Sequence, residues 1–326
     1  MADNFNLRAA RTAKNDEFYT QYCDIASEIP YYTKHLDGKW VYCPCDDYKI
    51  SNFVKYLKDN FDELKLKHLT STNYDIGDGA YRFDYDGVTE QVTELKEDGD
   101  FRSDECLEIF KQADVIITNP PFSLFREYMA QLIEYKKTFL IIGNGNAICF
   151  KEIFPLIKNN IIWIGHKPLS SGMKFLAGPN YDSSKCKNPQ YDENGNIIIS
   201  VMNCGWFTNM EHDKCHEPIK LSKKYSPEAY PKYENYDAIE CGRLSNIPID
   251  YDGIIGVPIT LFDKYCPEQF EIIGQSHGKA GQELGIKPYD KKWKAINKDL
   301  RKGDVYYIKD GKPVIPYFRV MIRHKR

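Results

Sequence analysis

The stretch Val115-Ile116-Ile117-Thr118-Asn119-Pro120-Pro121-Phe122 carries the most structural information in this chain of 326 residues. Its first three residues form an unbroken apolar run, which is typical of a strand buried on both faces of a parallel sheet. Two consecutive prolines then fix the backbone φ angle and remove two N–H donors, so the run ends in a rigid turn. At average residue frequencies, an Asp/Asn/Ser-Pro-Pro-aromatic tetrapeptide arises by chance in roughly one chain in a hundred of this length.

Short β-rich runs alternate with amphipathic segments on both sides of this stretch, from Lys39 to about Ile164. Such alternation predicts βαβ units, and hence an α/β fold with a mostly parallel sheet covered by helices on both faces. The predicted strands are residues 39–43, 64–69, 115–118, 138–142 and 161–164, and the predicted helices are residues 51–60, 104–112, 124–135 and 147–158.

The second half of the chain has a weaker pattern. Residues 170–196 are rich in Gly, Pro, Asn, Asp and Ser, which predicts a long loop of the kind that is usually functional. Strands are predicted at 197–201 and 204–208, and they resemble the last strands of a mixed sheet. Beyond Glu211 we expect only short elements, followed by a final strand at 317–322.

The composition excludes several classes of protein. Hydrophobic residues make up 42% of the chain and charged residues 28%, which is typical of a folded soluble protein and not of a disordered or fibrous one. No apolar stretch approaches the roughly 20 residues of a membrane-spanning helix, and the basic N-terminus lacks the apolar run of a secretory signal. We therefore expect a cytoplasmic protein without membrane contact, whose ten cysteines are reduced thiols.

Basic residues are concentrated near the C-terminus. Residues 279–326 contain fourteen Lys/Arg and five Asp/Glu, a net charge of +9, so the preceding 278 residues carry −12 within the total of −3. Cations release counterions from phosphates and planar side chains stack on bases, so this segment indicates a nucleic-acid surface. A solvated basic tail is the alternative. The aromatic residues interleaved with the charges are Tyr289, Trp293, Tyr306, Tyr307, Tyr317 and Phe318.

The turn at 119–122 has the chemistry needed to activate an amino group on a flat ring. The lone pair of such an amine is delocalised into the ring, and two acceptors that draw its hydrogens out of the plane restore its nucleophilicity. The side-chain carbonyl of Asn119 and the backbone carbonyl of Pro120 supply two acceptors, and Phe122 offers a face on which an extruded base stacks. Because the prolines hold both acceptors in place, this catalysis rests on positioning. In the alternative interpretation, Asn119 only caps a helix over residues 124–135.

The stretch 115–122 resembles motif IV of the amino-methyltransferases that use S-adenosylmethionine, and Asp16–Gln21 resembles their motif X. More specifically, the chain resembles the EcoRI-type adenine-N6 DNA methyltransferases of restriction-modification systems. The resemblance is weakest over residues 274–316. The stretches that carry it follow the same order in the chain: Asp16–Asp24, Val41–Phe53, Gly99–Ser103, Thr118–Tyr128, Phe139–Asn144 and Gly256–Ile273.

The resemblance implies a Rossmann-like S-adenosylmethionine-dependent methyltransferase sheet followed by a basic target-recognition region. It divides the chain into a basic N-terminal arm (1–14), a catalytic domain that binds S-adenosylmethionine (15–212), and a target-recognition and DNA-binding region (213–326). It implies that the protein flips an adenine out of double-stranded DNA and methylates its amine, which protects that DNA from a cognate restriction enzyme. It also suggests that a monomer acts without an obligatory protein partner.

The resemblance also assigns residues to roles. Catalysis falls to Asn119, Pro120, Pro121 and Phe122. The loop after the first strand has Cys43–Asp47 in place of the usual glycine-rich sequence, and residues 70–73 offer no acidic group for the cofactor ribose. The residues assigned to the cofactor are Phe18, Tyr19, Thr20, Tyr42, Pro44, Asp46, Asp47, Asp100 and Phe101.

Other interpretations of the sequence remain. The same fold can methylate cytosine-N4, an RNA base or a protein amide, although an Asn at position 119 favours adenine. The missing glycines are consistent with a DNA-binding protein built on an inactive methyltransferase fold. A zinc site composed of Cys204, His212, Cys215 and His216 lacks the short paired spacings of zinc sites, so we expect no metal.

Overall fold

A computed structural model of the chain describes residues 18–75, 77, 79–177, 190–192, 195–296, 298 and 300–325. The expected N-terminal arm lies outside these residues. The chain divides into two compact units. Unit 1 holds the residues up to Ile153 together with Ile161–His212, and unit 2 holds Phe154–Asn160 together with Asp213–Arg326.

Unit 1 contains twelve described strands and five described α-helices. The helices are α1 (Tyr22–Ala26), α2 (Thr33–Leu36), α3 (Asn52–Asp59), α4 (Asp104–Gln112) and α5 (Phe125–Glu134). The strands are β1 (Phe18–Thr20), β2 (Trp40–Cys43), β3 (His68–Thr72), β4 (Tyr81–Tyr85), β5 (Glu90–Glu94), β6 (Val115–Thr118), β7 (Thr138–Asn144), β8 (Trp163–Ile164), β9 (Met173–Ala177), β10 (Gln190–Tyr191), β11 (Ile197–Val201) and β12 (Cys204–Thr208).

The main sheet of unit 1 has eight strands in the order β5-β4-β3-β2-β6-β7-β12-β8. Its four central strands, β3, β2, β6 and β7, are parallel. The hairpin β4–β5 adds antiparallel strands beyond β3, and β12 lies antiparallel between β7 and β8. From β2 the chain proceeds first to β3 on one side and later to β6 on the other. This reversal opens a crevice at the carboxyl ends of β2 and β6, which is where open α/β sheets bind ligands.

Local sequence explains the central elements. All four residues of β6 are buried, as the apolar run predicts. Helix α3 begins after Ser51, whose side-chain oxygen accepts hydrogen bonds from the N–H groups of Phe53 (3.1 Å) and Val54 (3.4 Å). Such an N-cap satisfies donors that the first helical turn leaves unpaired. The buried residues of α3 belong to the same core cluster as those of β2, β3 and β6.

A second, smaller sheet in unit 1 has the order β1-β9-β11-β10. Strand β1 lies antiparallel to β9 and pairs Thr20 with Phe175. Residues 170–196 were expected to form a long loop, and that prediction is wrong at β9 (173–177) and at β10 (190–191). The side chains of β9 alternate between buried and exposed only at the start of the strand, so the period-2 pattern is weak. In addition, β9 pairs with β1, about 150 positions earlier in the chain. Local composition does not reveal a pairing over that distance.

The remaining predictions for unit 1 are confirmed in part. The strand predicted at 161–164 is shorter, since β8 contains only Trp163–Ile164, and the strand predicted at 197–201 is β11, which lies in the smaller sheet and not among the last strands of the main sheet. The parallel strands β2, β6 and β7 fall where periodicity places them. Strand β3 begins at His68 and not at residue 64, because Lys65 adopts a positive φ of 52° in the turn after α3. The helix predicted over 147–158 is interrupted: a 3-10 turn at Gly145–Cys149 is followed by an α-helix only from Phe154. The sheet is also more mixed than expected, since the hairpin β4–β5 was not predicted.

Unit 2 is organised around a four-stranded sheet, whose strands in spatial order are β13 (Ala238–Glu240), β14 (Ile254–Pro258), β18 (Arg319–His324) and β15 (Phe270–Ser276). The final strand, predicted at 317–322, is β18 and lies inside this sheet. None of the helices described in either unit is long and apolar enough to cross a membrane. The elements of unit 2 are α6 (Phe154–Lys158), β13 (Ala238–Glu240), β14 (Ile254–Pro258), β15 (Phe270–Ser276), α7 (Gly278–Glu283), α8 (Lys291–Ile296), β16 (Tyr307–Lys309), β17 (Lys312–Val314) and β18 (Arg319–His324).

A buried ion pair joins two strands of the unit 2 sheet. The guanidinium of Arg319 in β18 donates to Glu240 in β13, with an Nη2–Oε1 distance of 2.7 Å, and the hydroxyl of Tyr233 donates to the same carboxylate. The side chains of Arg319 and Glu240 are only 12% and 8% exposed. A buried charge of this kind is tolerated only while its partner remains in place.

We predict that Glu240→Gln destabilises unit 2 by about 3 kcal/mol, because the charge of Arg319 stays buried without compensation. The free energy of opening is measured by hydrogen exchange and mass spectrometry on peptides from β18. Glu271→Gln is the matched control: Glu271 pairs with Arg323 in the same sheet at 2.9 Å, but both side chains are about half exposed. Its cost is expected to stay below about 1 kcal/mol. Equal effects of the two substitutions would contradict the prediction.

Candidate active site

Strand β6 delivers Asn119 to the carboxyl edge of the main sheet. Thr118, the last residue of β6, is fully buried, and Asn119 is half-buried with its side-chain oxygen buried. Helix α5 begins at Phe125 and Leu124 occupies its N-cap position. The alternative role of Asn119 as the cap of this helix is therefore wrong, because Asn119 lies five positions before the cap residue.

The rest of the turn continues along this edge. Pro120 is buried, and Pro121 precedes a 3-10 turn at Phe122–Leu124. The ring of Phe122 is half-buried and meets the buried ring of Phe175 edge to face, with centroids 6.0 Å apart. Because Phe175 pairs with Thr20, the smaller sheet brings the expected cofactor strand β1 beside the turn.

Asp46 links three parts of the crevice. Its carboxylate accepts hydrogen bonds from the hydroxyl of Ser51 (2.7 Å) and the hydroxyl of Thr118 (2.6 Å). Its backbone N–H donates to the carbonyl of Thr72 at the end of β3 (2.9 Å). The loop after β2, the start of α3 and the ends of β3 and β6 are thus joined through one residue, which is only 7% exposed.

Burial raises the pKa of Asp46 from its ordinary value of 3.8 to about 6, and the hydroxyl donors of Thr118 and Ser51 offset part of that rise. An ionised carboxylate has about four acceptor positions, of which these hydroxyls occupy two. The others are available to a cationic group in the crevice, and such a cation would favour the ionised form. Asp46 therefore has a structural role at the crevice, through its two hydroxyl donors.

The raised pKa predicts how stability depends on pH. Between about pH 4 and pH 6 the native protein holds a proton on Asp46 that the unfolded chain has released, so the free energy of unfolding falls as pH rises through this window. A shift from 3.8 to about 6 corresponds to a loss of roughly 3 kcal/mol at most. We expect this loss in the parent protein relative to Asp46→Asn, measured by urea unfolding from pH 4 to pH 7. Parallel curves for the two proteins would show that Asp46 titrates at its ordinary pKa.

The other residues assigned to this loop have distinct surroundings. The side chain of Tyr42 is fully buried, and its hydroxyl pairs with that of Thr72 at 2.7 Å. Pro44 is buried, and its carbonyl accepts from Thr72 at 3.3 Å. Asp47 is half-buried and accepts from the backbone N–H of Lys49 at 2.9 Å. The side chain of Tyr42 thus supports the sheet, whereas the two aspartates lie in the loop at the crevice.

Asp100 and Phe101 lie in a loop that approaches the end of β3. Gly99 has a φ of +74°, and a Cβ atom there would lie 2.0 Å from the carbonyl oxygen of Asn73, so the approach requires glycine. Arg102 donates to both carboxylate oxygens of Asp100 (2.6 and 2.8 Å) and holds the pKa of Asp100 below its ordinary value. Phe101 is buried and packs edge to face on Tyr128, with centroids 4.9 Å apart.

Strand β1 contributes the segment that resembles motif X. Only the backbone of Phe18 is described, and it pairs with Ala177. Tyr19 is half-buried. The carbonyl of Thr20 accepts from the side-chain amide of Asn52 in α3 at 2.8 Å, so β1 is fixed to the same helix start that holds Asp46. Asp16 and Glu17 lie outside the described residues.

Several buried hydroxyls lie near this edge of the sheet. Within the part of the chain that the structure describes, the hydroxyls of Thr20, Ser71 and Tyr128 are buried without a hydrogen-bond partner. Native proteins rarely leave such groups unsatisfied. Thr20 ends β1, Ser71 is the penultimate residue of β3, and the pKa of Tyr128 is raised by burial, with further contributions from Cys45, Tyr42 and Asp46. A polar ligand bound in the crevice is consistent with this arrangement.

The sequence interpretation missed Ser51, Thr72 and Thr118 as members of the site. Ser51 carries a local signal, since a Ser before an amphipathic run predicts an N-cap. The roles of Thr72 and Thr118 have no such signal, because their partners lie 28 and 72 positions away. No group of three or more His, Cys, Asp or Glu side chains among the described residues is placed to hold a metal ion.

Comparison with known proteins places the chain among the methyltransferases. The family model described as "Adenine-specific methyltransferase EcoRI" matches residues 6–325. The chain belongs to this family of adenine-specific methyltransferases.

Individual relatives agree with this assignment. The chain is 41% identical over 347 aligned positions to the Type II methyltransferase M.EcoRI of Escherichia coli, with coverage of 100% of this chain and 98% of the relative. It is 36% identical to the Type II methyltransferase M.MgeORF184P of Mycoplasma genitalium, covering 82% and 85%. The Type II methyltransferase M.MpnI of Mycoplasma pneumoniae is 35% identical, covering 81% and 83%. No solved structure matches the chain significantly.

Proposed function

We propose that this protein is a sequence-specific DNA methyltransferase that transfers a methyl group from S-adenosylmethionine to the exocyclic N6 of a flipped adenine. The observation that carries the proposal is the position of Asn119 and Pro120 at the strand-order reversal, beside Asp46. Family membership supports adenine as the target base. The Type II names of the relatives support a role in protecting DNA from a cognate restriction enzyme.

The chemical role of the turn follows from its rigidity. The oxygen of the Asn119 side chain and the carbonyl oxygen of Pro120 accept the two amine hydrogens and direct the nitrogen lone pair out of the ring plane. Phe122 lies beside them to stack on the extruded base. Bound S-adenosylmethionine supplies an electrophilic methyl group, so no strong general base is needed before attack. The protein contributes orientation and preorganised dipoles.

We propose that the cofactor lies along the carboxyl ends of β2 and β3, where the sheet is Rossmann-like in strand order. Asp46 and Asp47 take its amino group, and Thr20 and Tyr128 offer buried hydroxyls to its polar atoms. Asp75 is the first acidic residue after β3, and we assign it to the ribose hydroxyls. Its Oδ1 accepts from the N–H groups of Gly77 and Gly79 (2.7 and 3.0 Å), which lower its pKa.

The adenine of the cofactor is assigned to Asp100 and Phe101. Arg102 orients the Asp100 carboxylate, which retains acceptor positions for an adenine amine. The buried ring of Phe101 supplies an apolar wall next to Tyr128. Phe18, Tyr19, Tyr42 and Pro44 complete the assignment by resemblance; for Tyr42, whose side chain is directed at Thr72, the proposed contact is through the backbone.

Charge separates the two units. Unit 2 contains 22 Lys/Arg and 16 Asp/Glu, a net charge of +6, so unit 1 carries −9 within the total of −3. We propose that unit 2 supplies most of the phosphate contacts and recognises the target sequence, and that unit 1 binds the cofactor and performs catalysis. Exposed basic side chains in unit 2 include those of Lys287, Lys291, Arg301 and Lys302.

We predict that Asn119→Ala lowers the single-turnover rate of methyl transfer at least about a hundredfold, because the variant loses one of the two acceptors that hold the amine. Labelled S-adenosylmethionine and mixed-sequence duplex DNA provide the assay, and digestion to nucleosides followed by mass spectrometry identifies the product as N6-methyladenine. The dissociation constant for S-adenosylmethionine is expected to change by less than about threefold, since Asn119 contacts the base. Full activity of this variant would refute the mechanism.

The same measurements separate the competing functions. N4-methylcytosine in the digest would identify cytosine as the target base. Label found only in RNA or protein would identify that molecule as the substrate, and in each case the methyltransferase fold would stand. Binding of DNA by the parent protein without detectable binding of S-adenosylmethionine in calorimetry would favour an inactive methyltransferase fold. Sequencing of genomic DNA from cells that express the protein, by a modification-sensitive method, identifies the recognition sequence.

We predict that the affinity for DNA falls steeply as the salt concentration rises, and that basic residues of unit 2 cause this dependence. Replacing Lys287, Lys291 and Lys302 together with Gln should reduce the slope of log K against log salt by about 2 to 3, at close to 0.9 per phosphate contact. Fluorescence anisotropy between 50 and 300 mM salt measures the slope. Substitution is preferable to deleting residues 279–326, because that deletion removes β18 from the interior of the sheet.

The matched control replaces Lys34, Lys39 and Lys67 with Gln. All three are exposed, and Lys39 and Lys67 directly precede β2 and β3, at the amino edge of the parallel strands and away from the crevice. The control is expected to leave the slope unchanged within about 0.5, since none of these lysines is proposed to touch a phosphate. A larger change in the control than in the unit 2 variant would relocate the DNA surface to unit 1.

A further inference from the structure

Thr118 directly precedes Asn119 in the chain, and its hydroxyl is bound to the loop after β2. Thr118 is fully buried, and its Oγ1 donates to Oδ2 of Asp46 at 2.6 Å. The short distance is typical of a hydroxyl bound to a carboxylate, and such charge-assisted bonds are roughly twice as strong as neutral ones. The bond connects the last residue of β6 to a loop residue 72 positions earlier.

The backbone of Asn119 is constrained from both sides. On its N-terminal side, Thr118 is held in the ladder by pairing with Ile141 of β7 and by the Asp46 bond. On its C-terminal side, Pro120 restricts Asn119 to extended conformations, because the proline ring clashes with a helical residue before it. With the backbone fixed, the placement of the Asn119 amide depends on its side-chain torsions alone.

The partner of Thr118 is also the residue proposed to meet the cofactor amino group. Asp46 is 7% exposed, and its second oxygen is held by Ser51 at the start of α3. A carboxylate that is anchored at one end by α3 and at the other by β6 fixes the distance between the cofactor loop and the catalytic turn. Without the Thr118 hydroxyl, β6 would still be paired in the sheet, but its last residue would lose its link to that loop.

We propose that Thr118 is a positioning residue for methyl transfer: its hydroxyl, donated to Asp46, fixes the Asn119 acceptor relative to the cofactor loop. This inference rests on the proposed function. Its effect is on the rate of transfer and not on the binding of DNA, because neither Thr118 nor Asp46 is placed to touch the duplex. A displacement of about 1 Å at a reacting centre lowers rates by about a hundredfold.

Thr118→Val tests the inference, since valine keeps the size and the β-branched shape of threonine and removes the hydroxyl. We expect the single-turnover rate at saturating cofactor and DNA to fall between about 10-fold and 100-fold, while the dissociation constant for duplex DNA changes by less than about twofold. Thr118→Ser retains the hydroxyl and is expected to keep the rate within about threefold of the parent. A general loss of packing would affect Thr118→Ser at least as much, because serine also removes a methyl group.

Thr208→Val is the matched control. Thr208 is a fully buried threonine in β12 of the same sheet, and its hydroxyl donates to the carbonyl of Phe139 at 2.7 Å. Phe139 is the second residue of β7, so this bond lies at the amino edge of the parallel strands. The same hydroxyl accepts from the N–H of Met210 at 3.0 Å, so Thr208→Val should lower the thermal midpoint of the protein at least as much as Thr118→Val. It should leave the single-turnover rate unchanged within about twofold.

The outcomes distinguish this inference from the proposed function. Absence of DNA adenine methylation by the parent protein contradicts the proposed function. An active parent with an unchanged rate in Thr118→Val overturns the positioning role and leaves the proposed function intact. A rate in Thr118→Ser as low as in Thr118→Val, or an equal loss of rate in Thr208→Val, overturns it as well, since either result would assign the effect to packing. A selective loss in Thr118→Val with recovery in Thr118→Ser supports it.

Discussion

The buried carboxylate of Asp46 is the interaction on which the geometry of the crevice depends. A carboxylate that is 7% exposed is costly unless hydrogen-bond donors surround it. Here the donors come from two different elements, Ser51 at the start of α3 and Thr118 at the end of β6. The requirement to satisfy one charge therefore fixes the relative positions of the loop after β2, the start of α3 and the end of β6, from which the turn at residues 119–122 begins.

Strand order makes this meeting possible. Because β3 and β6 lie on opposite sides of β2, the loops that follow these strands diverge, and the carboxyl ends of β2 and β6 are left facing a common crevice. The smaller sheet closes another side, since Phe175 of β9 both pairs with Thr20 and packs against Phe122. Thr20, near the start of the described chain, and Phe175, more than 150 positions later, are thereby brought beside the turn at Phe122.

The sequence predicts those parts of the fold that depend on local pattern. The burial of β6, the rigid turn at Asn119 and the strands β2 and β7 follow from apolar runs and proline chemistry, and all lie where expected. The pairing of β1 with β9 and the bond from Thr118 to Asp46 depend on residues far apart in the chain, so periodicity carries no trace of them. The hairpin β4–β5 was missed for a related reason: all five residues of β5 are exposed, so it has no apolar face to detect.

The glycine-poor loop after β2 illustrates how a different set of contacts reaches a defined shape. Glycines in such loops allow the backbone to bend sharply and approach a ligand. Here the loop is held from outside instead: the hydroxyl of Thr72 donates to the carbonyl of Pro44, the N–H of Asp46 donates to the carbonyl of Thr72, and the Asp46 side chain is held by two further hydroxyls. In this loop, hydrogen bonds with Thr72 and Thr118 at the ends of β3 and β6 fix the backbone shape that glycines allow in other loops of this kind. The loop is joined to the end of β6 by the bond between Asp46 and Thr118. Because Thr118 directly precedes Asn119, the hydrogen bonds that hold the loop also constrain the backbone at Asn119.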